Sequence, residues 1–108
     1  MIDLQWDRDF ALEQSGDDQE LLAELLALLE TSSLQEFARM RMAHEEGDAA
    51  KMGEAAHSIK GAAASLGVGK LQEVAWEMEE AGRHGDLAVA SSLLSPLERT
   101  ISALTILK

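Results

Sequence analysis

Cysteine is absent from the 108 residues, which excludes disulfides, thiol nucleophiles and thiolate-built zinc sites and suits a reducing compartment. Tyrosine is absent too, while tryptophan and phenylalanine occur twice each and proline once. That shortage of strand-favouring aromatics, beside plentiful leucine, alanine and methionine, reads as all-α. No run approaches the roughly 18 uninterrupted apolar residues of a membrane span. The acidic start MIDLQWDRDF lacks the basic and apolar regions of a signal peptide. A cytoplasmic protein with no membrane partner is expected. Positive charge is scarce: nine lysines and arginines stand against twenty acidic residues, a net charge of −11. This disfavours nucleic acid and anionic lipid as partners. Two readings of the acidity stand, a solubilising surface and a field that steers a partner.

The chain is one domain, residues 1–108, long enough for a single core. A short first helix is predicted from Trp6 to Gln14, closed by Ser15-Gly16, with Asp17 or Asp18 capping the next. The second helix should run from about Asp18 to Glu45. Its stripe of Leu21, Leu22, Leu25, Leu26, Leu28, Leu29, Phe37 and Met40 is broad enough to meet two neighbours. Ser33 with Glu36 matches a capping box, but no glycine or proline accompanies it, so continuity is favoured. Glu46-Gly47-Asp48 reads as a stop, a turn and a new cap, opening a third helix that ends near Leu66. Gly67 and Gly69 make a turn. A fourth helix, Val68 to His84, should bury Leu71, Val74, Ala75 and Met78. Gly85-Asp86 opens a fifth with core residues Ala90, Leu93, Leu94, Leu97, Ile101 and Leu104, and the apolar register crosses Pro96 unbroken, predicting a kink rather than a break. The fold class is therefore an antiparallel four-helix bundle with a short additional N-terminal helix.

One histidine stands out. At about 100° per residue, Met52, Ala56, Ile59, Ala63 and Leu66 form one apolar stripe, and His57 points roughly 140° away from its centre, toward solvent. On the same outer face lie Gly53, Gly61 and Ala64, with Lys60 at its edge. A glycine inside a helix costs about 1 kcal/mol against alanine, so two beside an exposed histidine call for a reason. Access for a partner's backbone is the simplest. The other histidines, His44 and His84, fall near helix C-termini, where the partial negative charge favours imidazolium. The three histidines share no zinc-ligand spacing, and no metal site is expected.

The segment AHSIKGAAASLG resembles the signature of histidine phosphotransfer (HPt) domains of phosphorelays. The matching residues are His57, Lys60, Gly61 and Gly67, with Leu71 following at helical spacing. The resemblance implies that His57 accepts a phosphoryl group from a receiver-domain aspartate of a response regulator and passes it on. It also implies that a hybrid sensor kinase can be a partner. Lys60 can place an ammonium beside the phosphoryl oxygens. No Walker loop, kinase catalytic loop or magnesium cluster is present, so the chain needs no cofactor of its own, and the receiver would bring Mg²⁺. It should be a covalent carrier rather than an enzyme, and the exposed His57 suggests a monomer.

Many relatives of that kind carry glutamine twenty-two residues after the histidine, where this chain has Glu79. Its carboxylate could orient the ring or turn to solvent. Ser65 reads equally well as a turn residue and as part of the site. Gln72, Trp76, Glu79 and Arg83 share the outward side of the fourth helix, and Trp76 is a candidate docking residue or a packing one. Leu22 and Leu26 are candidates for a docking patch or for the core. The rival from another class is a non-catalytic helical adaptor that docks on a receiver or other partner. A methionine start and a helical end favour a free-standing protein over a piece of a hybrid kinase.

Overall fold

A computed structural model describes residues 2–107. Among them are five α-helices, α1 (Arg8–Gln14), α2 (Gln19–Glu45), α3 (Ala49–Ser65), α4 (Gly69–Arg83) and α5 (Leu87–Ala103), and a closing 3-10 turn at Leu104–Leu107. α2 to α5 make the antiparallel bundle, with α1 laid against α2. The 27 residues of α2 span about 40 Å at 1.5 Å per residue, which accounts for the long axis of the 42 × 21 × 21 Å molecule.

Four helices start the same way. Asp7, Asp18, Asp48 and Asp86 each accept from backbone N–H groups in the first turn that follows, a cap worth about 1 kcal/mol apiece. α4 has no such side chain, since Val68 stands at its cap. The chain's own N-terminus takes over that task. Gly69 N donates to the Gln5 carbonyl at 3.2 Å and Lys70 N to the Leu4 carbonyl at 2.9 Å, so a strap of main chain satisfies the first donors of α4. Asp7 N in turn donates to the Gly67 carbonyl, and the Trp6 indole to that of Leu66, each at 2.9 Å. Trp6 therefore pairs with Val68 in an extended bridge instead of opening α1, which begins later because Asp7 takes the cap. Gly67 adopts a left-handed φ of +69°, and a Cβ there would lie 3.0 Å from the Asp7 carbonyl oxygen. Ile2 to Trp6 line a shallow hollow together with Ile106 and Leu107, so both ends of the described chain lie at one pole of the bundle.

The core follows the expected stripes, with two corrections on α2. Leu22, Leu26, Leu29, Phe37, Met40 and Ala43 are buried, whereas Leu28 is 63% exposed and Leu21 stays at the surface. The stripe is thus narrower than the leucine count implies, although α2 does pack on both α3 and α5. Leu22 and Leu26, candidates for docking, are core residues at 4% exposure and offer nothing to a partner. Ser33 lies within continuous α2, and α5 runs through Pro96 without interruption.

α3 and α4 approach most closely of all. A Cβ on Gly82 would sit 2.6 Å from the Ala49 carbonyl oxygen and 2.7 Å from Gly53 Cα, and one on Gly53 would meet the Glu79 carbonyl and Gly82 Cα at 3.2 Å. Gly53 is buried in this crossing, which corrects its placement on the open face: its missing side chain admits a helix of this chain, not a partner. Gly61, by contrast, is exposed and a Cβ there meets nothing within 4 Å.

The two glycines should respond oppositely to alanine. Gly82→Ala drives a methyl into backbone that cannot yield locally and should lower stability by about 2–3 kcal/mol. Gly61→Ala should raise it by up to about 1 kcal/mol. Urea denaturation of both variants decides, and an unchanged Gly82→Ala midpoint would refute the close crossing.

Candidate functional site

The crossing sets the outer face of α4 beside that of α3. His57, midway along α3, has a side chain 68% exposed, as its angular position requires. Lys60 lies one turn on, and Glu79 comes from the facing turn of α4. The Glu79 carboxylate joins the two: Oε2 is 2.5 Å from His57 Nδ1 and Oε1 is 2.6 Å from Lys60 Nζ. Its side chain is only 15% exposed, so the oxygens are aimed by the fold at these two partners.

This geometry assigns the ring protons. An ionised carboxylate only accepts, so Nδ1 carries the hydrogen and donates it, and in the neutral ring Nε2 is left with a free lone pair directed away from α4. Ionisation of Glu79 is secured locally. The Lys60 ammonium hydrogen-bonded to it holds its carboxyl below the ordinary carboxylate range; partial burial opposes this, and the bond from His57, the Lys60 charge and, when the ring is protonated, the His57 charge add to the lowering.

Hollows flank this ridge on both sides. One, of about 370 Å³, is lined by Ala50, Gly53, Glu54, His57, Gly82 and Arg83 among others. Its floor is the glycine crossing, so Gly53 touches the site from beneath. The other is lined by Lys60, Gly69, Gln72, Glu73 and Trp76, and the Trp76 ring is half exposed. Ala64 is half-buried farther along α3. Ser65 is spent on the helix end, donating to the Ala62 carbonyl at 2.7 Å. His44 and His84 stand apart: the former hydrogen-bonds Ser91 across to α5, and the latter donates to the Glu80 carbonyl at the end of α4.

The bond between Lys60 and Glu79 was not foreseen, because nothing in local spacing links residues nineteen apart. Gly82 was missed altogether. The available signal was a glycine inside the last turn of a helix, unexplained by any turn of its own. Among the described residues no cluster of three or more metal-ligating side chains occurs, and no helix is long and apolar enough to cross a membrane.

An exposed imidazole on the second long helix of such a bundle is what the resemblance of the His57 segment implies, whereas Glu79 stands where many relatives have glutamine. The Hpt domain family matches the chain over residues 12–105, and the chain belongs to it. Among solved structures it resembles histidine-containing phosphotransfer protein B (HptB) from Pseudomonas aeruginosa PAO1, with 26% identity and a TM-score of 0.86 over 95% of this chain and 90% of that one. It also resembles the HPT domain of a sensor hybrid histidine kinase from Shewanella, with 27% identity and a TM-score of 0.72 over 97% and 95% of the two chains. No curated protein matches the chain. Its role is histidine phosphotransfer in a phosphorelay, and its partners are receiver domains.

The lowered pKa of Glu79 fixes the sign of a pH effect on stability. Stability drawn from a carboxylate with a lowered pKa is complete above its unfolded value and is lost as pH falls through the folded one. Wild type should exceed Glu79→Gln by on the order of 1 kcal/mol near neutral pH, and the gap should close in strong acid. Denaturation at the two pH values measures this, and a gap that persists in acid would show that the charge is not its source.

Proposed function

We propose that His57 is the residue that carries the phosphoryl group. The observation that supports this reading is the Glu79 bond to Nδ1, which leaves Nε2 as an exposed nucleophile. In the accepting step the Nε2 lone pair attacks phosphorus in line, the bond from phosphorus to the aspartyl oxygen breaks, and its electrons return to the carboxylate. Nδ1 keeps its proton, so positive charge appears on the ring beside Glu79, which stabilises it. The onward step is the reverse, with a second receiver aspartate as nucleophile. Covalent demands on the protein are small and positioning is nearly everything.

The remaining parts follow from the same placement. Mg²⁺ and the acidic pocket that binds it would come from the receiver. Gly61 leaves the surface beside His57 bare for the receiver's approach, and Trp76 supplies an apolar contact at its flank. Lys60 serves first as the counter-ion of Glu79 and from there contributes to the field at the phosphoryl oxygens. The protein works as a cytoplasmic monomer, with hybrid sensor kinases among the sources of its phosphoryl group.

Incubation with a phosphorylated receiver domain and Mg²⁺, following labelled phosphate, tests the reading. Wild type should gain acid-labile phosphate and His57→Gln none, while its circular dichroism stays unchanged. Label retained by His57→Gln would overturn the assignment, and binding without transfer in wild type would leave an adaptor. Gly61→Leu should keep its helix content and slow transfer on the order of tenfold by obstructing approach; wild-type kinetics would mean that the bare face is incidental.

A further inference from the structure

Glu79 does more than orient the free ring. When Nε2 carries phosphorus, the ring has two forms: a cation with hydrogen on Nδ1, and a neutral form with a lone pair there. They differ in reactivity. Departure of the phosphoryl group returns an electron pair to Nε2, giving a neutral imidazole from the cation but an imidazolate from the neutral form, so only the cation leaves readily. An amide at position 79 could serve either form, since it can accept from N–H or donate to the lone pair. A carboxylate can only accept. With Oε2 already 2.5 Å from Nδ1, and Lys60 on Oε1 keeping Glu79 ionised, one ring state alone is satisfied.

We propose that Glu79 is a positioning residue that keeps phosphorylated His57 in its cationic, transfer-ready form, making this protein a fast relay with a short-lived phosphoryl group. The inference rests on the assignment of His57 above. Loss of the group breaks the bond between Nε2 and phosphorus; the electron pair goes to Nε2, phosphorus goes to a receiver carboxylate or to water, and Nδ1 retains its proton throughout. When water is the acceptor, its proton passes to solvent. The charged groups around the ring are Glu79 and Arg83 from α4 and Glu54 and Lys60 from α3. Arg83 is already paired with Glu80 at 3.0 Å. Glu79 is the one bonded to the ring nitrogen that holds the proton.

The test needs no receiver. Phosphoramidate phosphorylates exposed imidazoles directly; with donor removed, ³¹P spectra follow loss of the signal that is missing in His57→Gln. Wild type should lose phosphate at a rate that stays nearly flat across neutral and mildly alkaline pH. Glu79→Gln, of the same size, should lose it on the order of tenfold more slowly at mildly alkaline pH and converge with wild type in mild acid. Nitrogen-15 histidine spectra of the phosphorylated proteins should show Nδ1 protonated in wild type at a pH where the variant has lost that proton. Coincident pH profiles, or an unprotonated Nδ1 in wild type, would overturn the proposal even if receiver transfer to His57 is intact. Failure of receiver transfer beside the expected profiles would count against the relay assignment alone.

Discussion

The contact between Gly53 and Gly82 governs the arrangement of everything near the histidine. With main chain against main chain, α3 and α4 come closer than any pair of side chains would permit, and a carboxylate from one reaches an imidazole on the other without either leaving its helix. Bonds of 2.5 and 2.6 Å from a single Glu79 require that the two faces be held at fixed separation. Rigid elements position such a constellation better than loops do. Stability at the crossing and competence at the ring are thus coupled, although neither glycine has a functional group to offer.

The site also resolves a tension created by composition. A chain of net charge −11 must hold a phosphoryl dianion on its surface, and an extra carboxylate beside the ring would worsen the repulsion if it stood alone. It does not stand alone. Lys60 neutralises Glu79 on one oxygen while the ring proton occupies the other, so the three side chains act as a unit in which charge is passed laterally instead of being exposed to the phosphate. The acidity of the whole chain, at −11, disfavours nucleic acid as a partner.

Much of this was legible in the residues. Four long helices, the aspartate caps of three of them (Asp18, Asp48 and Asp86), the buried stripe of α3 and the outward direction of His57 all follow from period and punctuation, because each depends on neighbours within a turn or two. What could not be read has a common cause. Gly53 and Gly61 look alike in sequence, four residues either side of His57, yet one is buried under α4 and the other is bare. Leu22 and Leu28 belong to one run of leucines, and only the position of α3 and α5 decides that the first is buried and the second is not. Trp6 has helix-compatible neighbours, but the uncapped start of α4 recruits its backbone into a strap. Each of these turns on where a second helix lies, which no local pattern carries.

That strap also settles how the molecule would hang from anything joined to it. Residues 4–7 are bonded to the turn between α3 and α4, and Ile2 meets Ile106 and Leu107 at the same pole, whereas His57 lies about 12 Å along α3 from its last residue. A chain extended at either end would leave from that single pole. Anything joined at either end would therefore be tethered at that pole and not at the waist where His57 stands.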